Sequence, residues 1–147
     1  MNKLVQFNTE LGQKLKKLSD FPLLFFRIIL AIGFSTPALM KLNNIGGIIE
    51  WFESLGIPFP TLNAYLATYT EVIGFVFLAL GFATRIISIP LIIVMLVAIK
   101  TVHFENGFEA GDNGYEIPLY YILMLFTLFV YGPGKWSLDY LISKKIK

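Results

Sequence analysis

The chain has 147 residues, of which 56% are hydrophobic and 15% are charged, and its net charge is +2. This composition is too apolar for an ordinary soluble domain of that length, and its small charge gives no reason to expect a nucleic-acid partner. The absence of cysteine excludes a disulfide, a CxxC redox pair and thiolate metal ligands, and a single histidine argues against a metal or haem site held by this chain alone.

Four apolar stretches are long enough, or nearly long enough, to cross a bilayer as helices. A hydrocarbon core of about 30 Å needs about 20 apolar helical residues. Together the stretches take up about half of the chain, so we predict one all-α membrane domain over 1–147, a four-helix bundle with little room for a separate soluble domain. The predicted spans are 22–42, 62–82, 85–104 and 117–131.

Three amphipathic segments are predicted outside the spans. The first, 1–20, places leucines at helical spacing among lysines, which is typical of a helix lying on an anionic membrane surface. A second, 45–56, is too short to cross the membrane and is interpreted as an interfacial helix between spans one and two. The tail, 136–147, combines apolar residues with terminal lysines and predicts a third surface helix.

Lysine and arginine are unevenly distributed between the predicted loops. Basic residues concentrate at the N-terminal segment, at Arg85 and in the C-terminal segment, whereas most acidic residues fall in 45–60 and 105–115. Short loops rich in lysine and arginine stay in the cytoplasm. We therefore expect a multi-pass protein of the cell's inner membrane, with both termini cytoplasmic.

Glu71 lies near the middle of span two, where a carboxylate costs about 2.5–3.5 kcal/mol or more. It lies on a stripe of small residues with Ala64, Ala67 and Gly74, so it is expected to face other helices. Arg27 lies on span one, and by helical rise the axial gap to Glu71 is about 7–8 Å. We predict that the two form a buried ion pair, either as a structural device or as a site that carries a proton or a ligand.

The outer ends of the spans carry further polar residues. Span three places Arg85, Ser88, Ile92 and His103 on one stripe that is predicted to face inward, although Arg85 is most simply interpreted as an anchor on the cytoplasmic side; span four places Glu116, Tyr120, Leu123 and Thr127 on such a stripe. An outer polar mouth is predicted to consist of Lys41, Lys100, His103, Tyr115, Glu116 and Tyr120. For Lys41 and Lys100 the alternative is that the side chains simply reach the interface, and Lys41 fits that alternative better.

Several short motifs, in order and with compatible spacing over about 20–140, resemble the DoxX family of small four-span membrane proteins. They are Arg27, Lys41, 56–58, 71–74, 81–85 (Gly-Phe-Ala-Thr-Arg) and 132–139 (Gly-Pro-Gly-Lys-Trp-Ser-Leu-Asp). The family takes its name from a subunit of an archaeal terminal quinol oxidase linked to thiosulfate:quinone oxidoreduction. The resemblance implies recurring positions at Arg27, Lys41, Glu71, Arg85 and Asp139, without an assigned catalytic role.

Three functions remain open at this point. The leading hypothesis is a membrane subunit of a quinone-linked oxidoreductase, with a small anion or quinone headgroup at the outer mouth and a proton on Glu71. No intrinsic cofactor motif is visible, so electrons would come from quinone or a partner redox subunit. The alternatives are a non-catalytic membrane interaction protein and a solute or proton carrier acting as a homo-oligomer, although the repeats typical of carriers are not evident.

Overall fold

The computed structural model describes residues 3–146. Met1, Asn2 and Lys147, which the predicted domain 1–147 includes, lie outside the described residues. Within residues 3–146 the chain is helical, without strands. Its α-helices are Lys3–Leu15 (α1), Asp20–Asn43 (α2), Ile45–Ser54 (α3), Pro60–Leu80 (α4), Thr84–Ala98 (α5), Glu116–Tyr131 (α6) and Leu138–Ile146 (α7).

Three of these helices are long and apolar enough to cross a membrane. They are α2, α4 and α5, the last of which continues through a π-helical turn, Ile99–His103, to Asn106. The fourth predicted span corresponds to α6, which has 16 residues and rises about 24 Å. It is apolar but shorter than the other three.

The helices α2, α4, α5 and α6 pack in a closed ring, since each contacts two of the others. Apolar side chains from all four meet inside it, among them Leu30, Leu78, Leu91 and Leu125, each fully buried. Gly33 lets the ring of Tyr121 lie directly against α2, because a Cβ there would overlap the tyrosine hydroxyl. Close approach at a small residue is how helices associate in lipid.

The inward face of α4 agrees with the prediction, whereas that of α6 does not. Ala64, Glu71 and Gly74 are buried along α4, as their small-residue spacing indicated. On α6 the buried residues are Pro118, Leu125 and Leu128, while Leu123 is 56% exposed. Polar residues misled the prediction for α6: Thr127 donates to the carbonyl of Leu123, so its hydroxyl needs no partner on another helix.

On α5 the prediction is partly correct. Ser88 is buried as expected, together with Thr84, Ile87 and Leu91. Arg85 is exposed instead of pointing into the bundle, and its guanidinium reaches the carbonyl of Val130 at 3.3 Å. Arginine at a helix end can place its charge outside the apolar region, so the first turn of α5 turns Thr84 inward instead.

Candidate functional site

The polar centre of the bundle is an ion pair between α2 and α4. Lys41 Nζ donates to Glu71 Oε1 at 2.5 Å. The Glu71 side chain is 2% exposed and that of Lys41 is 18% exposed. Both charges are therefore largely removed from water, and each relies on the other for compensation.

The predicted pairing of Arg27 with Glu71 is wrong, because the two side chains diverge. Every Cα–Cβ bond leans toward the N-terminus of its helix, and α2 and α4 are antiparallel. Arg27 therefore leans toward Asp20 and away from the middle of the bundle, while Glu71 leans toward Pro60. Lys41 leans toward the middle, so it converges on Glu71.

The position of Lys41 near the end of α2 suggested that its side chain extends to the interface. The side chain turns toward the bundle instead. Arg27 donates to the carbonyl of Leu78, which aligns those two levels of α2 and α4. From there α2 rises about 21 Å to Lys41, whereas α4 rises only about 10 Å to Glu71. The lysine chain must run back toward the middle of the bundle to reach the carboxylate. Pairing with Glu71 therefore determines the direction of the Lys41 side chain more than access to water does.

Arg27 serves a different purpose at the other end of the bundle. Its guanidinium donates to four backbone carbonyls, those of Leu78 at 3.0 Å, Ala79 at 3.3 Å, Pro133 at 3.0 Å and Trp136 at 2.8 Å. The planar guanidinium has five donors in a fixed fork, which allows one buried side chain to bind several carbonyls. Arg27 thereby joins α2, the end of α4 and the segment before α7.

The turn between α4 and α5 completes this cluster. Gly81 has φ +66°, and a Cβ there would lie 2.6 Å from both Arg27 Cζ and Ser137 Cβ. Asp139 accepts hydrogen bonds from the backbone N–H groups of Ala83 at 2.7 Å and Thr84 at 3.0 Å, so it caps α5 from a distant part of the chain. We call Arg27, Gly81, Ser137 and Asp139 the C-terminal clamp.

The residues of the predicted outer mouth do not converge on one site. Glu116 accepts from Tyr120 Oη and from the N–H of Ala110, each at 3.0 Å. His103 Nδ1 lies 2.8 Å from the carbonyl of Asn113. These bonds, together with the packing of Tyr115 on Phe104 and Phe108, hold the loop between α5 and α6 on itself. Lys41 is engaged by Glu71 and Lys100 is exposed.

Two buried polar atoms beside the ion pair lack a hydrogen-bond partner among the described residues. They are Glu71 Oε2 and Thr68 Oγ1, one turn apart on α4. Thr68 is not among the residues predicted from the sequence, although its three-residue spacing from Glu71 places it on the same face. Across residues 3–146, acidic and histidine side chains form no group of three suited to a metal ion. Glu71 Oε2 and Thr68 Oγ1 are each able to take part in a further hydrogen bond.

Comparison with known proteins gives a consistent set of relatives. The family model DoxX matches residues 22–104, a stretch that contains Arg27, Lys41, Glu71 and Arg85 but not Asp139. An uncharacterized protein of Haemophilus influenzae is 35% identical over 130 residues, covering 86% of each chain. "Putative oxidoreductase CatD" of Bacillus subtilis is 32% identical, covering 71% of this chain and 73% of its own.

A further relative is named for its location. "Inner membrane protein YqjF" of Escherichia coli is 28% identical over 133 residues, covering 89% of this chain and 99% of its own. No solved structure matches the chain. The relatives therefore agree with the apolar helices in indicating a membrane protein.

Proposed function

Since the chain belongs to the DoxX family of membrane proteins, we propose that it is a membrane subunit of a quinone-linked oxidoreductase system. The single observation that carries this proposal is the buried Lys41–Glu71 pair, in which one carboxylate oxygen has no protein partner within residues 3–146. Ionisable residues held at membrane depth mark proton or ligand pathways more often than they mark lipid contacts. The name of the Bacillus subtilis relative supports the same class of chemistry.

The proposed role of the pair is to manage protons. Reduction of a quinone to its quinol takes up two electrons and two protons. Glu71 gives one proton to the quinone oxygen beside it and is then reprotonated from the aqueous phase, which also supplies the proton for the other oxygen, while the Lys41 ammonium offsets the negative charge that develops on the nearer oxygen. The electrons come from a reductant or a partner redox subunit.

The proposal includes four membrane spans, with α6 as the fourth. Its 16 residues rise about 24 Å, less than the thickness of a hydrocarbon core of about 30 Å. The aromatic residues at the two ends of α6 lengthen the part of the segment that lies in the membrane. We propose that both termini are cytoplasmic, with α1 and α7 on the inner surface and α3 on the outer one. Single cysteines placed at Lys17 and Glu109 of this cysteine-free chain should react with an impermeant maleimide from opposite sides of the membrane.

The experiment that tests the function is quinone reduction by the purified protein in liposomes. Reductant, for example thiosulfate, is supplied with and without candidate partner subunits. Glu71→Gln should lower turnover by about a hundredfold or more, because a general acid–base group contributes at least that much. Glu105→Gln is the matched control, since Glu105 is an exposed carboxylate of the loop after α5. Absence of quinone binding together with equal turnover in Glu71→Gln would rule the proposal out.

A second candidate is a non-catalytic membrane interaction protein. The observation favouring it is that Arg27 and Asp139, two positions by which the chain resembles its family, are engaged by backbone groups of this same chain. Such contacts stabilise a shape and perform no chemistry. In that case Glu71→Gln should weaken folding or capture of a partner, and no quinone turnover should be found in any variant.

A further inference from the structure

Most hydroxyl groups that form a hydrogen bond on the helices of residues 3–146 donate to a carbonyl of their own helix, and two buried threonines, Thr68 and Thr84, do not; of these two, Thr68 lies one turn from a second unpartnered polar atom, Glu71 Oε2. Thr9, Ser88, Thr101 and Thr127 each donate to the carbonyl four residues earlier, at 2.7 to 2.9 Å. That bond lets a hydroxyl lie on a helix without another partner. Thr68 is fully buried within α4, yet its hydroxyl bonds to no group of residues 3–146.

Glu71, one turn further along α4, also has a buried polar atom without a hydrogen-bond partner among the described residues. Oε1 accepts from Lys41, and Oε2 is buried with no donor in the described part of the chain. A buried polar atom without a hydrogen bond is costly, and a carboxylate oxygen especially so. Residues three apart on a helix have Cβ atoms about 5–6 Å from each other, so one small group can contact both side chains.

We propose that Thr68 and Glu71 form a binding site for a single hydroxyl group, which donates to Glu71 Oε2 and accepts from Thr68 Oγ1. The hydroxyl belongs either to a quinol headgroup or to a bound water. If the hydroxyl belongs to a quinol, the inference rests on the proposed function, and Thr68 is the residue that positions the headgroup. If the hydroxyl belongs to water, the inference does not depend on the proposed function.

The charges around the site select for a neutral group. Glu71 would repel an anion at Oε2, and the ammonium of Lys41 would disfavour a second cation beside the same carboxylate. A hydroxyl satisfies both free atoms, because it donates one hydrogen bond and accepts another. This makes the small anion considered from the sequence a poor ligand for the Glu71 site.

The first test uses the protein in liposomes that contain no quinol. The carboxyl vibration of Glu71 is identified by infrared difference against Glu71→Gln and then followed in Thr68→Val, which removes the hydroxyl and keeps the shape. Thr68→Ser retains a hydroxyl and should preserve the band. Thr127→Val is the control, since that hydroxyl bonds to its own helix. If the Glu71 carboxyl band shifts in Thr68→Val but not in Thr68→Ser or Thr127→Val, the bound hydroxyl belongs to water, because these liposomes contain no quinol.

The second test adds decylubiquinol to the same liposomes and measures its affinity. Loss of one hydrogen bond should weaken binding about tenfold in Thr68→Val and leave Thr68→Ser and Thr127→Val unchanged. That loss identifies the hydroxyl as that of the quinol, and if the band also shifts without quinol, the headgroup displaces a water. If Thr68→Val does not assemble, Thr68→Ala is measured in the same way.

An unchanged band and an unchanged quinol affinity in the hydroxyl-free variant would overturn this inference. That failure is separable from failure of the proposed function. If Glu71→Gln abolishes turnover while Thr68→Val changes neither measurement, the oxidoreductase role stands and the hydroxyl site does not. If Thr68→Val shifts the band in a protein that neither binds quinol nor turns over, the site holds water and the oxidoreductase role fails.

Discussion

Replacing Lys41 with methionine should destabilise the protein more than any other loss of a single exposed or half-buried charge. Lys41→Met keeps the length of the side chain and removes the only group that hydrogen-bonds to Glu71 among residues 3–146. Because Glu71 is 2% exposed, its charge would be left without compensation. Breaking a buried pair in this way costs about 3–5 kcal/mol.

The opposite substitution should be milder. In Glu71→Gln the remaining charge is on Lys41, which is 18% exposed and lies two residues before the end of α2, so its flexible chain can move to the interface. We expect a loss of about 1–2 kcal/mol. The double variant should resemble Glu71→Gln rather than the sum of both changes, so the coupling should equal the cost of Lys41→Met alone, about 3–5 kcal/mol.

Equilibrium unfolding in mixed detergent–lipid micelles measures these differences as a double-mutant cycle. Lys100→Met is the control, because Lys100 is exposed and lies outside the ion pair, and it should change stability by no more than about 0.5 kcal/mol. Were Lys41→Met to cost under about 1 kcal/mol, the pair would behave as a surface salt bridge, and the inference that both charges are largely removed from bulk water would be refuted.

The C-terminal clamp leads to three further predictions, each measured by the same unfolding assay. Arg27→Lys should lower the free energy of unfolding by about 3 kcal/mol or more, since lysine cannot reproduce a planar guanidinium that binds four carbonyls. In the control Arg85→Lys the loss should be less than about 1 kcal/mol. Equal losses would contradict the role given to Arg27 in the C-terminal clamp. Asp139→Ala should lose about 1–2 kcal/mol as the cap of α5 disappears, and no loss would show that solvent replaces it. Gly81→Ala should lose at least about 1 kcal/mol more than Gly56→Ala, because both glycines have a positive φ and a Cβ would meet the Arg27 guanidinium at Gly81 but nothing within 4 Å at Gly56; equal losses would place Arg27 elsewhere.

The helices could be predicted from the sequence, but their inward faces could be predicted only in part. Apolar length and breakers gave each helix to within a few residues, because a bilayer demands internally satisfied backbone. Hydrophobic periodicity carries less information in lipid, where both faces of a span are apolar. On α4 the small residues and Glu71 supplied the missing signal. On α6, Leu125 and Leu128 are buried and Leu123 is not, and nothing in their chemistry distinguishes them.

Of the two partners in the ion pair, Glu71 could be predicted from the sequence, whereas Lys41 was not. Glu71 was conspicuous because a carboxylate is rare at that depth, whatever its neighbours are. Its partner depended on which way each side chain leans, and axial distance alone favoured Arg27. Had the lean of the Cα–Cβ bonds been applied to antiparallel spans, Lys41 would have been preferred. The spacing of Thr68 from Glu71 indicates the face on which it lies, but its unpartnered hydroxyl could not be predicted, because a threonine on a helix usually satisfies its own hydroxyl.

The positions that resemble the family divide into two groups by what they contact. Arg27 and Asp139 bind backbone groups, and their side chains are accounted for by the joining of three chain segments at one end of the bundle. Within residues 3–146 the side chains of Lys41 and Glu71 bind only each other, and an apolar pair of similar volume would hold α2 and α4 together at least as well. Stability therefore explains the clamp but does not explain the ion pair. Replacing Lys41 and Glu71 together by methionine should accordingly give a well-folded protein that lacks the proposed quinone reduction, which is the outcome that a working site, unlike a structural one, requires.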